Sequence, residues 1–463
     1  MSPCARVFEL QRAAFRRHPN PPAADRREHL ETLRRLLVDN ADALASALDA
    51  DFGHRSIHET KLLEVFPAVL AARHAHEHVA EWMRPERKPV SIWFQRGRAY
   101  VVKQPLGVAG IIVPWNYPIF LAAGPLVSAL AAGNRVMVKM SEFAPRLGEL
   151  FAQLMAAAFA EDHVAVVNGG VDVAQEFAST PFDHLLFTGS TAVGHHIMRA
   201  ASGSLTPVTL ELGGKSPAII APGFSVERAA DRILWGKCLN AGQTCIAPDY
   251  VLLPEDQVSR FIDAARRHAR RLYPDGAASA DYSAIINAHH YDRLVKMRDE
   301  AVAGGAQALA LSTGGSAAAR KLEPTIVTGA RDDMRIMQEE IFGPLLPLKP
   351  YRTLDEALAY VADHPRPLAL YYFDDDSART ARVVNESMSG NVTVNDTVLH
   401  IAQEDLPFGG VGASGMGEYH GEDGFTTFSK RKGVFEQSRF NGLWLFRPPF
   451  GGRVEKLLRL LLR

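Results

Sequence analysis

The sequence has few cysteines and no surplus of positive charge. Its 463 residues include only three cysteines, and 51 lysines and arginines are balanced by 52 aspartates and glutamates. Three cysteines cannot form a complete set of disulfides, so we expect a reducing, cytoplasmic setting. A net charge of −1 lacks the basic excess that binds a row of phosphates, which argues against a nucleic-acid partner. The length predicts two or three domains.

Uninterrupted apolar runs are also missing. The first 20 residues contain no apolar core of the kind that secretory signals have, so we expect no such signal there. Residues 104–134 carry no charge, but Pro114, Pro118 and Pro125 interrupt them. We therefore expect a strand over 108–113 followed by a turn, and no transmembrane helix.

The remaining pattern is an alternation of strands and helices. Residues 26–80 have the spacing of amphipathic helices, and the alternation over 85–105 predicts a β-hairpin or arm. Short β-branched runs then predict strands at 108–113, 135–140, 164–168, 184–189, 208–212, 217–221, 250–253, 324–329, 368–373 and 391–395. Apolar strands that alternate with helices indicate an α/β fold with two doubly wound domains.

A glycine-bounded turn follows the predicted strand at 184–189. It runs from Gly189 through Ser190 and Val193 to Gly194, and a helix is predicted after it. The N–H groups and the dipole at such a helix start can hold an anion such as a pyrophosphate. The spacing differs from the usual dinucleotide fingerprint, and the same residues would also fit an ordinary glycine turn.

Charged side chains follow two other predicted strands. Lys139 and Glu142 come at the end of one, where a carboxylate can accept hydrogen bonds from a ribose. Glu211 ends another and precedes Gly213 and Gly214; partial burial would raise its pKa toward that of a general base. Each group would also fit a solvated strand end or a surface turn.

The three cysteines differ in their surroundings. Cys245 follows Ala-Gly-Gln-Thr, and a cysteine in such a polar loop can be exposed and deprotonated. Cys238 lies on an apolar helical face, matches no zinc spacing, and is expected in the core. Cys4 is expected in a loose terminus without a role. No metal site is predicted.

Seven motifs occur in a fixed order: PWNYP with Asn116, VKMSE with Lys139, FTGSTAVG, LELGGK with Glu211, AGQTC with Cys245, QEEIFGP at 338–344 and LPFGGVGASGMG at 406–417. The chain thereby resembles the aldehyde dehydrogenases over about residues 30–435. Its details are similar to the class 3 branch. Within that branch, FGHRSIHET at 52–60 and VNDTVLHIAQEDLPFGG at 394–410 resemble bacterial coniferyl aldehyde dehydrogenases.

The resemblance implies an NAD-dependent oxidation of an aldehyde. Cys245 would be the nucleophile, Asn116 an oxyanion donor, and Glu211 the base that activates water. The implied cofactor contacts are Lys139 and Glu142 to the adenosine ribose, Gly189, Ser190, Val193 and Gly194 at the pyrophosphate turn, and Glu340 and Phe342 to the nicotinamide riboside. A carboxylate near the ribose 2′ position favours NAD, while Lys139 leaves NADP open.

The resemblance also implies the domain organisation. A dinucleotide-binding domain would take 1–85 and 107–209, and a catalytic domain 210–395. The arm at 86–106 and the segment 396–435 would serve oligomerisation, giving a homodimer, and 436–463 would be a C-terminal extension. Because Trp115 and Tyr117 flank Asn116, we expect an aromatic or a medium-chain aliphatic aldehyde as substrate. The resemblance to coniferyl aldehyde dehydrogenases implies a coniferaldehyde-like one.

Three other functions are weighed against this one. An acylating enzyme would pass the thioester to coenzyme A, but Glu211 argues for water as the acceptor. A cysteine hydrolase would cleave esters without a nicotinamide cofactor. A catalytically silent member of the fold would have lost Cys245 or Glu211, and both are present.

The C-terminal residues form a predicted short basic amphipathic helix. One face carries Val454, Leu457, Leu458 and Leu461, and the positive charges are Arg453, Lys456, Arg459 and Arg463. The helix is too short to span a bilayer. It could lie on an anionic membrane surface or cover the substrate entrance, but we favour docking on the body of the protein.

Overall fold

The structure is a computed structural model that describes residues 2–462, except the side chains of Trp93, Leu445 and Phe446. Within these residues the α-helices are α1 Pro3–Arg17, α2 Ala23–Asp39, α3 Ala41–Phe52, α4 Ile57–Thr60, α5 Phe66–Trp82, α6 Pro118–Ala132, α7 Pro145–Ala158, α8 Val171–Ser179, α9 Thr191–Ser202, α10 Val226–Cys238, α11 Val258–Leu272, α12 Ala288–Ala303, α13 Arg335–Gln338, α14 Leu354–Ala362, α15 Ser377–Glu386, α16 Gly421–Thr427 and α17 Gly451–Leu461. A π-helical turn, Lys61–Val65, joins α4 to α5.

The strands of the same residues are β1 Glu86–Lys88, β2 Arg98–Pro105, β3 Val108–Ile112, β4 Arg135–Lys139, β5 Val164–Val167, β6 His184–Thr188, β7 Val208–Glu211, β8 Pro217–Ile220, β9 Tyr250–Pro254, β10 Gln307–Ala310, β11 Thr325–Thr328, β12 Leu345–Tyr351, β13 Ala369–Phe373, β14 Asn391–Val394, β15 Gly415–Met416 and β16 Ser429–Glu436. They form three sheets.

The first large sheet has the order β15-β7-β6-β3-β4-β5. Five of its strands run parallel, and β15 pairs antiparallel with β7. Strands β3 and β6 are buried along their whole length, because helices cover both faces of a parallel sheet. Each of the strands predicted between 108 and 212 is found.

The second large sheet has the order β10-β11-β12-β9-β8-β13-β14, and only the β10–β11 pair within it is antiparallel. The α/β fold with two doubly wound sheets is therefore confirmed. The sequence analysis missed β12, which lies between β11 and β9. Its sequence contains Pro347 and Pro350, and a proline normally argues against a central strand because it has no N–H to donate to the neighbouring strand.

The small third sheet has the order β1-β2-β16. Strands β1 and β2 pair antiparallel, as the predicted hairpin requires. Along its whole length β2 also pairs antiparallel with β16, so the arm is completed by a strand from near the other end of the same chain. Both β1 and β16 are edge strands of this sheet.

Two expectations near buried helices were wrong. Cys4 lies in α1, fully buried against the first sheet, and not in a loose terminus. The apolar side chains of Val7, Phe8 and Ala14 repeat at helical spacing and bury one face of α1. Pro125 lies inside α6 and does not interrupt it. Because every residue of α6 is buried, tertiary packing maintains the helix despite the missing N–H.

The predicted C-terminal helix is present as α17. Val454 is buried and Leu457 is half-buried, whereas Leu458 and Leu461 are exposed on the same helix. Arg463 lies outside the described residues. Among residues 2–462, no helix is both long enough and apolar enough to cross a lipid bilayer.

Candidate active site

The loop that carries Cys245 has an unusual backbone. After α10 ends, Asn240, Ala241 and Gly242 follow one another with φ angles of 50°, 51° and 77°. L-residues rarely adopt this left-handed conformation, and it costs an alanine about 1–2 kcal/mol. A Cβ on Gly242 would lie 2.3 Å from the carbonyl oxygen of Gly343. Glycine is therefore required at 242, where two loops meet.

Hydrogen bonds from Gln243 hold this backbone in place. Its buried amide nitrogen donates to the carbonyl oxygens of Asn240 and Ala284 at 2.9 and 3.0 Å. Its amide oxygen accepts from the N–H of Ile286 at 3.0 Å. The next residue, Thr244, shares a 2.8 Å hydrogen bond with the hydroxyl of Tyr117. The polar residues before Cys245 are thus structural supports of the loop.

The predicted catalytic residues meet in one cleft of about 200 Å³. Its lining residues come from the first large sheet and the loops after its strands, from the loops that carry Cys245 and Glu340, and from α12: Pro114, Trp115, Asn116, Thr188, Gly189, Ser190, Glu211, Gly213, Cys245, His290, Arg293, Glu340 and Phe342. Seven of the eleven predicted site residues are among them. The other four, Lys139, Glu142, Val193 and Gly194, do not line this cleft.

Asn116 lies in the loop between β3 and α6, and its side chain is buried. The side-chain amide donates one hydrogen bond, to the carbonyl oxygen of Gln243 at 3.1 Å. An asparagine amide has two N–H donors, so one remains for a ligand. The predicted oxyanion donor therefore stands in the same cleft as Cys245 and is bonded to its loop.

Glu211 is the last residue of β7 and is more deeply buried than the sequence analysis expected. Neither carboxylate oxygen has a hydrogen-bond partner among the described residues. Burial, together with the negative charge of Glu418, raises the pKa of Glu211 well above its usual value. Glu211 is thus a buried acid that lines the cleft, a setting typical of groups that exchange protons.

The Cys245 thiol is half-buried, and its surroundings oppose ionisation. Burial, with the nearby carboxylates of Glu340 and Glu211, raises the pKa of Cys245 to about 12. The N–H groups of Cys245 and Ile246 oppose this shift without overcoming it. The loop alone therefore does not favour the thiolate. A positive charge or a base in the cleft is needed to form the anion.

The predicted ribose-binding pair lies at the end of β4. Lys139 is buried, and its ammonium donates to the carbonyl oxygen of Met140 at 2.7 Å. The same ammonium lies 3.5 Å from a carboxylate oxygen of the exposed Glu142. Lys139 and Glu142 are thus adjacent, as predicted, at the carboxyl edge of the first sheet.

The predicted pyrophosphate turn opens α9 at the carboxyl end of β6. Ser190 caps this helix, and its hydroxyl accepts a hydrogen bond from the N–H of Val193 at 3.4 Å. Val193 is exposed, whereas Gly194 is buried where a Cβ would lie 2.8 Å from Leu212. A helix start next to the cleft has the geometry that binds anions.

A partly buried ion pair holds the loop that contains Glu340 and Phe342. The ammonium of Lys215 pairs with Asp249 and donates to the carbonyl oxygens of Ile336 and Glu339 at 2.8 and 3.0 Å. The other oxygen of Asp249 accepts from the N–H of Ile341 at 2.9 Å. The sequence analysis missed this pair, although Lys215 belongs to the LELGGK motif.

Glu340 itself is an acid in unusual surroundings. Burial, with the charge of Asp249, raises the pKa of Glu340 to about 8, and the N–H of Gly214 opposes the shift. One of its oxygens and the hydroxyl of Thr188 have no hydrogen-bond partner among the described residues. These orphaned acceptors in a polar cleft fit the hydroxyl and amide groups of a nicotinamide riboside.

Two further lining residues, His290 and Arg293, were also missed. They lie on α12, which carries none of the recognised motifs. Arg293 donates to the carbonyl oxygens of Glu340 and Ile341. Burial, with the charge of Arg293, lowers the pKa of His290 to about 4, so the imidazole is neutral at pH 7. Nothing in their local sequence distinguishes them from other residues of an amphipathic helix.

Known proteins similar to this chain have the same fold over its full length. Residues 4–434 match the family described as "Aldehyde dehydrogenase family". A probable coniferyl aldehyde dehydrogenase of Pseudomonas aeruginosa is 52% identical, covering 98% of this chain and 94% of the relative. The solved structure of a substrate-bound Staphylococcus aureus AldH covers 100% of both chains, with a TM-score of 0.94 and 35% identity.

A second solved structure contains the cofactor. It is a betaine aldehyde dehydrogenase from Staphylococcus aureus in complex with NAD⁺, 26% identical, with a TM-score of 0.85. The similarity covers 94% of this chain and 88% of that one.

Proposed function

Because the chain belongs to the aldehyde dehydrogenase family, we propose that it oxidises an aldehyde to the carboxylic acid with NAD, through a thioester on Cys245. Aldehyde oxidation with a nicotinamide cofactor follows from the family itself. The main support for the thioester mechanism is that Cys245, Asn116 and Glu211 all line one cleft.

The first step is the attack of the Cys245 sulfur on the aldehyde carbon. The S–H proton leaves to solvent, a C–S bond forms, and the carbonyl oxygen becomes an oxyanion. When bound, the oxidised nicotinamide ring supplies a positive charge and accepts the hydride that leaves the substrate carbon. The negative charges of neighbouring carboxylates contribute to the raised pKa of Cys245. A positive charge beside the thiol therefore lowers that pKa, because it stabilises the thiolate.

The oxyanion needs hydrogen-bond donors. We assign these to the second amide N–H of Asn116 and the backbone N–H of Cys245. Because Asn116 is held by Gln243, its amide is oriented before the charge develops. Return of the oxyanion electrons expels the hydride and leaves a thioester.

Glu211 then acts on water. In its ionised form the Glu211 carboxylate takes a proton from a water molecule while the water oxygen attacks the thioester carbon, and the C–S bond breaks to release the acid. The raised pKa of Glu211 makes the ionised form a stronger base than an exposed carboxylate. A carboxylate without hydrogen-bond partners among the described residues has both oxygens available for that water.

The remaining predicted residues are assigned to the cofactor. Lys139 and Glu142 would hold the adenosine ribose, Gly189 and Ser190 with the start of α9 the pyrophosphate, and Glu340 and Phe342 the nicotinamide riboside. Glu142 would repel a 2′-phosphate, which favours NAD over NADP. Lys139 beside it lessens that repulsion, so NADP remains the second cofactor to test.

For the substrate we propose an aromatic aldehyde of the phenylpropenal type. The support is the name of the Pseudomonas aeruginosa relative and an aromatic surface at the cleft. The ring of Trp115 packs edge-on against Phe342, with centroids 5.4 Å apart. A medium-chain aliphatic aldehyde is the alternative. Values of kcat/KM for coniferaldehyde, benzaldehyde, hexanal and decanal, each with NAD and with NADP, decide between them.

The experiment that tests the function follows NADH and the acid together. We expect one NADH and one free carboxylic acid per aldehyde, at a rate independent of coenzyme A. A thioester of coenzyme A as product would instead show an acylating enzyme. Ester hydrolysis that needs no nicotinamide, with no NADH from any aldehyde, would show a cysteine hydrolase.

Domain roles and assembly are proposed by the same resemblance. The segments 1–85 and 107–209 would bind the dinucleotide, and 210–395 would supply the nucleophile. The arm would mediate a homodimer, since β1 and β16 leave sheet edges that a second copy can use.

For α17 within 436–463 we propose docking on the protein, supported by the burial of Val454. Liposome binding lost on removal of residues 450–463 would contradict this docking.

A further inference from the structure

A buried ion pair lies behind the cleft. A guanidinium nitrogen of Arg55 is 3.0 Å from a carboxylate oxygen of Glu64, and both side chains are fully buried. Neither residue lines the cleft. The guanidinium also lies 4.9 Å from the ring centres of Phe52 and Tyr117. Two charges lose their hydration on burial, so such a pair persists where its geometry satisfies other groups as well.

The ion pair contacts the backbone on both sides of the loop that contains Asn116. Arg55 donates to the carbonyl oxygen of Asn116 at 2.6 Å. Glu64 accepts from the N–H groups of Ile119 and Phe120, at 2.7 and 3.3 Å, in the first turn of α6. One ion pair therefore holds Asn116 and the start of the helix that follows it.

A second carboxylate connects this arrangement to the Cys245 loop. Glu59 accepts from the N–H of Asn240 at 2.6 Å and from the hydroxyl of Ser283 at 2.7 Å. The side-chain amide of Asn240 donates to the carbonyl oxygen of Asn116 at 3.0 Å. That oxygen thus receives hydrogen bonds from Arg55 and from Asn240. It therefore connects the loop that contains Asn116 to the loop that carries Cys245.

We propose that Arg55 is a positioning residue, which fixes the amide of Asn116 relative to Cys245 through the Asn116 carbonyl. The inference rests on the proposed function, in which that amide binds the oxyanion. It gives a role to the segment 52–60, which neither lines the cleft nor carries any of the assigned chemistry. An oxyanion donor displaced by about 1 Å can lower the rate by about 10²-fold. A purely structural ion pair would affect stability without this selective effect on catalysis.

Arg26 provides a matched control, because its guanidinium also donates to backbone carbonyl groups, at the other end of α6. Its buried guanidinium donates to the carbonyl oxygens of Ala131 and Ala132 at 2.9 and 2.8 Å. Substitution of Arg26 removes the donor to two buried carbonyl groups, and substitution of Arg55 removes one donor to the Asn116 carbonyl and the ionic partner of Glu64, so both should lower the melting temperature. Only Arg55 contacts the residue that binds the oxyanion.

The experiment compares the full-length Arg55→Gln and Arg26→Gln variants. We expect Arg55→Gln to lower kcat by about 10- to 100-fold while the Kd for NAD changes by less than about 3-fold, since the effect falls on the transition state. Arg26→Gln should retain the wild-type kcat. If Arg55→Gln does not fold, Glu64→Gln removes the same ion pair and keeps an acceptor oxygen. Equal loss of kcat in the two arginine variants would overturn the proposal.

A double-mutant cycle with Asn116→Ala tests the route of the effect. If Arg55 acts through Asn116, adding Arg55→Gln to Asn116→Ala should lower kcat by less than about 3-fold more. Losses that multiply would overturn the proposal, because they would show that Arg55 acts elsewhere.

A readout without activity keeps this inference separate from the proposed function. In Arg55→Gln, amide hydrogen exchange should be faster than in wild type over residues 116–121 and 239–246, and in Arg26→Gln it should not. Unchanged exchange in Arg55→Gln would overturn the positioning role. Failure of the wild-type protein to oxidise any aldehyde would overturn the proposed function and leave the exchange result to decide the structural claim.

Discussion

The side-chain amide of Asn116 donates a 3.1 Å hydrogen bond to the carbonyl oxygen of Gln243, two residues before Cys245. The proposed oxyanion donor is thus attached to the loop that carries the proposed nucleophile, although the two are far apart in sequence. This bond and the buried contacts of Gln243 contribute to the fixed separation of the two groups.

Asn116→Ala should lower kcat/KM for the aldehyde by about 10²- to 10³-fold, because one oxyanion donor is lost. The Kd for NAD, measured by fluorescence titration, should change little. Asn134→Ala is the control. Asn134 is also buried and bridges Gly107 and Phe428 through its side chain, and it does not line the cleft. A kcat/KM for Asn116→Ala within a few-fold of that for Asn134→Ala would contradict the oxyanion role.

Gly242→Ala should reduce turnover because a Cβ at 242 would collide with the carbonyl of Gly343, 2.3 Å away, and displace the Cys245 loop. Gly223→Ala is the matched control. Gly223 also has a positive φ, of 85°, but no atom lies within 4 Å of its Cβ position. Both variants should lose about 1–2 kcal/mol of stability from the left-handed backbone. Comparable turnover in Gly242→Ala and Gly223→Ala would show that the collision at 242 does not displace Cys245.

Asp249→Asn should raise the KM for NAD by about 10-fold and lower kcat less, because it removes the ionic partner of Lys215, which holds the loop with Glu340. Asp374→Asn is the control. The buried Asp374 makes two 2.7 Å contacts with Arg379, remote from the cleft. It should lower the melting temperature and leave the KM for NAD unchanged. A normal KM for NAD in Asp249→Asn would show that this loop does not contribute to cofactor binding.

The reactivity of Cys245 should depend on pH and on NAD. Burial and adjacent carboxylates raise the pKa of its thiol to about 12, so only the small thiolate fraction reacts with iodoacetamide near neutral pH. Without NAD the alkylation rate should rise about tenfold per pH unit from pH 7 to pH 10, as expected below a thiol's pKa. NAD should increase the rate near pH 7, and Cys245→Ser should abolish labelling. A plateau near pH 8 without NAD would contradict the raised pKa.

Glu142→Gln should raise kcat/KM with NADP, by about 10-fold, because it removes the negative charge that would repel a 2′-phosphate. Glu149→Gln serves as the control, since Glu149 is exposed on the following helix, α7, and has no assigned contact. An equal ratio of NAD to NADP activity in the two variants would mean that Glu142 does not determine cofactor choice.

The sequence predicted those features that depend on neighbouring residues. Continuous apolar runs such as 108–113 and 184–189 identified parallel strands, because both faces of these strands are buried. Charged residues at the carboxyl ends of such strands drew attention to Lys139 and Glu211, since these ends share one edge of the sheet.

The features that the sequence did not reveal depend on distant contacts. In the sequence, Arg55 and Glu64 look like ordinary charged residues, and only the packing of α6 shows that they form a buried ion pair. The burial of Cys245 and Glu211, which raises the pKa of both groups, comes from a cleft formed by the first large sheet, several loops and α12. A local pattern cannot show how much water the assembled cleft excludes.

The most direct test of the account is to trap the acyl group on Cys245. Glu211→Gln, mixed with aldehyde and NAD at alkaline pH and quenched with acid, should release one NADH per active site and leave the acyl group on the peptide that contains Cys245, as measured by mass spectrometry. Cys245→Ser should show neither product. A burst of NADH with no acyl group on Cys245, or acylation of a different residue, would contradict the thioester mechanism.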